Sequence, residues 1–160
     1  MPTIHTGGCQ CGRIRFRTDV LIDNAHICHC RMCQKATGNY FAPLVGTPKA
    51  RLVWTRGTPA RFASSAGVAR GFCADCGTPL YFDPLTSADI ALMIGAFDAP
   101  ARIALRTQDS VESRVPLFHH LPSLPEAGTS EQAQGAAAIA AIAASNRQHP
   151  DHDTAAWPPA

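Results

Sequence analysis

The sequence lacks any long apolar run and any secretory leader. Its apolar segments, such as residues 90–94, are far too short to span a bilayer. Its N-terminus reads Met-Pro-Thr-Ile-His, with neither the charged region nor the apolar region of a signal peptide. From these absences we expect no membrane partner and a cytoplasmic location.

The sequence also lacks a run of basic residues. Its formal charge is +2, and the Lys and Arg residues are dispersed. If all seven cysteines bound two zinc ions as thiolates, seven negative and four positive charges would change that value to −1. No strong positive field remains to attract nucleic acid. We therefore expect a small-molecule partner and no nucleic-acid partner.

No cysteine lies outside three short clusters. The clusters are a first C-x-C (Cys9, Cys11), a middle C-x-C-x-x-C (Cys28, Cys30, Cys33) and a last C-x-x-C (Cys73, Cys76). In a reducing cytosol such clusters bind metal more often than they form disulfides. Seven is also an odd number, which a complete set of disulfides cannot accommodate. The pattern therefore predicts zinc sites.

Seven thiolates divide into four and three. The first and last clusters together supply a closed tetrahedral zinc site, which is typical of structural zinc. The middle cluster supplies three ligands and leaves one position open, which is typical of catalytic zinc. We call these the four-cysteine site and the three-cysteine site, and expect two zinc ions per chain. The alternative, in which the first cluster joins the middle one, would leave two thiols without a site.

The open position of the three-cysteine site admits water, a substrate thiol or a protein group. His26 and His29 are the nearby candidates, either as ligands or as neighbours of the ligands. Three thiolates give a Zn²⁺ site a net charge of −1, which favours capture of an incoming thiol over generation of hydroxide. Arg31 and Lys35 either offset this charge and receive an anionic substrate, or are ordinary surface residues.

Short apolar runs separated by glycine and proline predict a mainly β domain of several small sheets over residues 1–125. A helical turn is predicted only at residues 31–36. The predicted strands cover residues 14–17, 41–45, 51–54, 59–63, 68–72, 80–82 and 90–94.

The composition changes after Pro122, and residues 126–160 form a separate region in this interpretation. Thr129 and Gln132 match a capping box, which predicts a short Ala-rich helix over residues 133–145. An isolated helix of this length has marginal stability in water, so it either docks on a surface, frays or self-associates. Self-association would make the protein a homo-oligomer. Residues 149–160 are predicted to be a disordered tail.

Three motifs resemble the glutathione-dependent formaldehyde-activating (GFA) family, and the resemblance covers roughly residues 5 to 125. The motifs are Gly-Gly-Cys-Gln-Cys-Gly-Arg at 7–13, Cys-His-Cys-Arg-Met-Cys-Gln-Lys at 28–35 and Gly-Phe-Cys-Ala-Asp-Cys-Gly at 71–77. The resemblance implies an Mss4-like fold and the same division into a structural and a catalytic zinc. It also implies carbon–sulfur lyase activity that joins glutathione to formaldehyde.

Two features depart from the resemblance. Leu117 follows Pro116 where relatives carry Trp, which predicts a different pocket wall. No spacing singles out residues that would bind the two carboxylates of glutathione, although Arg70, Arg31 and Lys35 are candidates. A zinc-stabilised binding module or thiol carrier without turnover is therefore kept as the alternative function.

Overall fold

Short strands bounded by glycine and proline form two sheets in the computed structural model, which describes residues 3–157. In chain order the strands are β1 (His5–Gly8), β2 (Arg15–Thr18), β3 (His26–Cys28), β4 (Ala42–Pro48), β5 (Val53–Arg56), β6 (Ala60–Ser65), β7 (Val68–Phe72), β8 (Pro79–Pro84), β9 (Asp89–Met93) and β10 (Thr107–Asp109). The α-helices are α1 (Arg31–Thr37), α2 (Ser130–Gln134) and α3 (Ala136–Ser145). Single turns of 3₁₀ helix cover Lys49–Arg51, Ile94–Ala96, Pro100–Arg102 and Val111–Ser113, and a longer one covers Pro116–Ser123.

The smaller sheet has the order β1-β2-β5, and the larger one has the order β10-β3-β4-β9-β8-β7-β6. Neighbouring strands are antiparallel except β10 and β3, which are parallel. The predicted mainly β class is confirmed. The predicted small sheets merge into two, because β8 pairs with both β7 and β9 and because β9 also pairs with β4.

Aromatic contacts join the two sheets. Phe16 on β2 is fully buried and meets Trp54 and Phe97 edge to face, with ring centroids 5.8 Å and 5.1 Å away. Trp54 on β5 also lies 5.9 Å from Tyr81 on β8. Edge-to-face pairs of this kind contribute beyond their buried area, so this cluster fixes how the smaller sheet packs on the larger one.

Arg15 departs from the alternation expected for β2. Apolar and basic residues alternate there, yet the Arg15 side chain is only 3% exposed. Its Nη1 and Nη2 donate to the two carboxylate oxygens of Asp98 at 2.8 and 2.5 Å, and Nη2 also donates to Asp153 at 2.6 Å. Two carboxylates therefore offset the cost of burying the guanidinium.

The segment after residue 148 contacts the β domain, whereas its composition predicts disorder. The His149 N–H donates to the Gln10 carbonyl at 2.7 Å, and the His149 ring packs against Trp157. Both rings fill the space above Gly12, whose φ of +72° and lack of Cβ permit the approach. These contacts differ from the predicted disorder for residues 149–157, and residues 158–160 lie outside the described residues. The domain boundary at residue 125 stays a prediction.

The Ala-rich segment is helical but not continuous. The predicted capping box is present, because the Thr129 side chain accepts from the Gln132 N–H and the Gln132 side chain accepts from the Thr129 N–H. The helix breaks at Gly135, whose φ is +86°, so α2 and α3 replace the single predicted helix. No helix in the described part of the chain is long and apolar enough to cross a membrane.

The two carboxylates that meet Arg15 make a matched pair of variants. Asp98 is 10% exposed and Asp153 is 49% exposed. We expect Asp98→Asn to lower the free energy of unfolding by about 3 kcal/mol, because it removes one partner of a buried ion pair. Asp153→Asn is expected to cost about 1 kcal/mol or less. Urea denaturation at pH 7 measures both, and equal losses would contradict this ranking.

Asp98 also makes stability depend on pH. Burial alone would raise the pKa of its carboxyl, but hydrogen bonds from Arg15 and Thr6 hold the pKa below the ordinary 3.8. A lowered pKa in the folded state stabilises the fold above the unfolded pKa, and this contribution is lost as the pH falls through the folded pKa. We expect wild-type stability to fall more steeply than that of Asp98→Asn between about pH 5 and pH 2. Parallel curves in urea melts across this range would exclude the effect.

Candidate metal centres and the adjoining cavity

The four-cysteine site joins two loops that are distant in sequence. Cys9 and Cys11 lie in the turn between β1 and β2, whereas Cys73 and Cys76 lie between β7 and β8. Their four sulfurs are all within 4.8 Å of one another, with Cys9–Cys11 at 3.5 Å and Cys11–Cys73 at 3.8 Å. Four thiolates at the Zn–S distance of about 2.3 Å in a tetrahedron are about 3.8 Å apart, so the residues fit a zinc ion.

Local hydrogen bonds prepare these sulfurs for metal binding. The Ile14 N–H donates to the Cys9 sulfur at 3.2 Å, and the Thr78 hydroxyl lies 3.1 Å from the Cys76 sulfur. Burial raises the pKa of Cys9. Burial opposes ionisation of Cys76 as well, but hydrogen bonds from Thr78 outweigh it and lower the pKa. Gly77 directly follows Cys76, and its positive φ closes the turn that contains Cys73 and Cys76.

The three-cysteine site lies where β3 leads into α1. The sulfurs of Cys28, Cys30 and Cys33 also lie within 4.8 Å of one another. Cys30 is the N-cap of α1 and its sulfur accepts the Cys33 N–H at 3.3 Å. Cys33 is buried, whereas Cys28 and Cys30 are half-buried. These three residues fit a metal ion with one position left for another ligand.

The thiols of this site differ in acidity. Burial raises the pKa of Cys33, although the Arg70 guanidinium donates to its sulfur and opposes the change. Burial also disfavours ionisation of Cys30, but hydrogen bonds from the Cys33 thiol and N–H prevail and lower the pKa. Without metal, Cys30 therefore ionises before Cys33. A bound divalent cation would favour the thiolate form of all three.

A cavity of about 530 Å³ opens beside the three-cysteine site. All three cysteines line it, together with apolar residues of β4, β7, β8 and β9. None of Cys9, Cys11, Cys73 or Cys76 is among the described residues that line it. Cys9 of the four-cysteine site lines a smaller cavity of about 210 Å³, below the roughly 300–1,000 Å³ typical of pockets for small organic molecules.

Strand β10 brings polar groups to the same cavity. Its parallel pairing with β3 sets Asp109 opposite Cys28. The Asp109 carboxylate lies 3.6 Å from His26 Nε2, and His26 Nδ1 donates to the Asn24 carbonyl at 2.8 Å. Ser110 follows with a φ of +55°, unlike any other non-glycine residue in the range 3–157, and its hydroxyl lies 4.0 Å from the Cys28 sulfur. Strained backbone of this kind concentrates at functional sites.

Other residues singled out in the sequence lie elsewhere. His29 does not join the sulfurs: its Nε2 lies 3.0 Å from Gln108 Oε1 and its ring packs against Phe118. Arg31 and Lys35 line a separate cavity on the other side of α1 rather than the cavity of the cysteines, and Arg31 donates to the Gln34 side chain. Leu117 is partly exposed and does not line the cysteine cavity either.

Sequence reasoning missed one contact and one residue at this site: it names Arg70 as a candidate for binding a carboxylate but not as a partner of Cys33, and it does not name Ser110. The contact of Arg70 with Cys33, at 3.3 Å, spans 37 residues and has no local signal in the sequence. Ser110 lies 82 residues from Cys28, in a stretch with no glycine to indicate a left-handed turn. To predict that Ser110 lies near Cys28, one would have had to know that β10 pairs with β3.

Two groups of converging cysteine sulfurs on a two-sheet scaffold make this a β domain with two candidate thiolate metal sites. Residues 4–113 match the family described as glutathione-dependent formaldehyde-activating enzymes, and the chain belongs to this family. The resemblance seen in the three motifs is thus confirmed.

The chain is also similar to two individual proteins. It is 30% identical over 78 residues to an uncharacterized lyase of Schizosaccharomyces pombe. The aligned residues cover 49% of this chain and 56% of that protein. The chain therefore matches little more than half the length of this curated relative. A crystal structure of a Rhodobacter sphaeroides protein matches 64% of this chain and 98% of its own, with a TM-score of 0.51 and 18% identity. This second likeness supports the fold.

The two sites predict two classes of cysteine variant. Cys76→Ser is expected to abolish the cooperative thermal transition, because metal binding at a closed site is part of the folding free energy. Cys28→Ser is expected to shift Tm by no more than about 4 °C, the shift for roughly 1 kcal/mol in a chain of this size. Circular dichroism melts with metal analysis of each variant test this. Similar melts for both variants would contradict the division.

Proposed function

We propose that this protein is a metal-dependent carbon–sulfur lyase that joins a glutathione-like thiol to formaldehyde or a related aldehyde. The observation that carries the proposal is the three-cysteine group at the wall of a 530 Å³ cavity, beside a second group that is closed by a fourth cysteine. Membership of the GFA family supports this reaction, and the name of the Schizosaccharomyces pombe relative supports the broader class of lyases.

In the direction of synthesis, the thiol sulfur forms a bond to the aldehyde carbon. The carbonyl π bond becomes a lone pair on oxygen, which takes the proton that the thiol has lost, so the product is a hydroxymethyl thioether. A zinc ion held by Cys28, Cys30 and Cys33 would supply a Lewis-acidic centre that favours the thiolate form of the substrate. The four-cysteine site would hold a structural zinc.

Two residues of the cavity are suited to handle the proton. His26 uses Nδ1 for the Asn24 carbonyl, which leaves Nε2 as the ring atom that exchanges a proton with the aldehyde oxygen. The Asp109 carboxylate lies 3.6 Å from Nε2, on that side of the ring. Both residues line the cavity with Cys28. The proposal thus gives the polar groups of β3 and β10 a part in the reaction.

The reaction also proceeds without an enzyme, so the test must measure acceleration. Exchange NMR with ¹³C-formaldehyde and glutathione gives the forward and reverse rates. We expect the zinc-loaded protein to raise both rates by the same factor, and Cys30→Ser, which removes a ligand of the three-cysteine site, to return them to the spontaneous value. His26→Gln is expected to slow exchange roughly 100-fold, the usual contribution of a general acid or base.

Several outcomes separate this function from its alternatives. No acceleration by protein that carries two zinc ions per chain would exclude this pair of substrates. Saturable thiol binding without acceleration would instead favour a thiol carrier. Acceleration with 2-mercaptoethanol but not with glutathione would keep the reaction and change the thiol. Acceleration that persists in Cys30→Ser would remove the three-cysteine site from the reaction.

A further inference from the structure

Arg70 is a buried cation whose place in the fold ties it to the three-cysteine site. The residue is 3% exposed and lines the cysteine cavity. Its Nη2 donates to the Cys33 sulfur at 3.3 Å, its Nε donates to the Ser64 hydroxyl at 3.1 Å, and its guanidinium stacks on the Phe82 ring at 4.9 Å. Three contacts on three different residues hold the group in one orientation.

The strands around Arg70 make this orientation rigid. Arg70 is the middle residue of β7, which pairs with β6 on one side and with β8 on the other. In that register Arg70 stands opposite Phe62 and Phe82. A residue in the middle of an inner strand cannot turn away from the site without breaking the sheet.

The guanidinium has no carboxylate partner. None of the ion pairs among residues 3–157 involves Arg70, and its Nη1 is buried without a hydrogen-bond acceptor. A buried cation is costly unless an anion lies beside it. The nearest anionic group available is the sulfur of Cys33, which becomes a thiolate when a metal binds. Arg70 is therefore placed to use the metal-bound thiolates as its counter-ion.

The charge of the site depends on this residue. Three thiolates and a divalent metal ion sum to −1, so an anionic fourth ligand would bring the site to −2. With the Arg70 guanidinium counted, these values become 0 and −1. A neutral fourth ligand such as imidazole gains nothing from that difference, whereas a thiolate does, because like charges close together repel strongly in a partly desolvated site.

We propose that Arg70 is the positioning residue that makes the three-cysteine site accept an anionic thiolate in preference to a neutral ligand. The inference rests on the proposed function only in its assignment of an open metal position to that site. Arg70 acts through Cys33, and it sets the charge of the site rather than binding a carboxylate of the substrate.

The test uses the full chain loaded with Co²⁺, whose visible absorption reports the fourth ligand at a thiolate site. The probes are 2-mercaptoethanol, which binds as a thiolate, mercaptoacetate, which adds a carboxylate, and imidazole, which is neutral. The variants are Arg70→Met and Arg70→Gln, which remove the charge, and Arg70→Lys, which keeps it. Arg61→Met is the matched control, because Arg61 is exposed on the neighbouring strand β6.

We expect Arg70→Met and Arg70→Gln to weaken 2-mercaptoethanol binding about tenfold or more, the lower end of the usual effect of a residue behind a metal ligand. Imidazole binding is expected to stay within about twofold, so the preference for thiolate falls by the same tenfold. A purely structural defect would weaken both ligands together. Arg70→Lys is expected to lose about threefold, because one ammonium group cannot serve Ser64 and Cys33 as the guanidinium fork does. Arg61→Met is expected to keep the wild-type preference.

Three results would overturn the proposal. The first is an unchanged preference in a folded Arg70→Met or Arg70→Gln chain or, if both neutral variants fail to fold, a loss of about tenfold or more in Arg70→Lys, which keeps the charge. The second is an equal loss in Arg61→Met. The third is a loss confined to mercaptoacetate, which would make Arg70 a reader of carboxylates. Wild-type protein that binds Co²⁺ at the four-cysteine site alone would refute both the proposed function and the role of Arg70, whereas intact thiolate preference without lyase activity would refute the function and leave the role of Arg70 standing.

Discussion

The convergence of four sulfurs from two distant loops is the constraint on which the rest of this structure depends. The Cys11 and Cys73 sulfurs lie 3.8 Å apart although the residues are 62 positions apart in the chain. The smaller sheet and the β7–β8 hairpin are joined at this point. Because Cys73 directly follows β7, the four-cysteine site also fixes where β7 ends. Arg70, three residues earlier, is thereby held at the Cys33 sulfur. The site that holds the fold thus positions a charge at the site where we place the chemistry.

The C-terminal segment reinforces the same constraint from outside. His149 and Trp157 pack over Gly12, directly after Cys11, and the His149 N–H donates to Gln10 within the first C-x-C. Asp153 adds a carboxylate to the buried Arg15 of β2. The family match ends at residue 113, so these contacts come from outside the matched region. The exposed α2 and α3 connect this segment to the sheets, and the placement of residues 149–157 rests on contacts with the surface they cover rather than on their own composition.

The sequence allows prediction of what is encoded locally. Cysteines two or three residues apart, the glycine after the C-x-x-C, the β-rich run at residues 68–72 and the Thr129 capping box each depend on neighbours in the chain. Contacts between distant residues carry no such signal. Arg15 and Arg17 look equivalent in an alternating strand, yet Arg15 is buried because Asp98 and Asp153 arrive from far along the chain. Likewise, Arg31 and Lys35 adjoin the middle cluster in sequence but face a different cavity, since the turn of α1 carries them to the other side.

The charges around the cysteine cavity bear on how a glutathione-like thiol would bind. Arg70 is the one Lys or Arg among the described residues that line it, and its donors are directed at Ser64 and Cys33 or are buried. The acidic residues Asp89 and Asp109 line the same space. A thiol with two carboxylates would meet no free cation there, and its acidic ends would be repelled from the rim by these two side chains. Affinity would then come from the sulfur and from apolar contact, with the carboxylates left in water, where they contribute little. Since the sulfur end is common to all thiols, such a cavity would discriminate among them by size and charge.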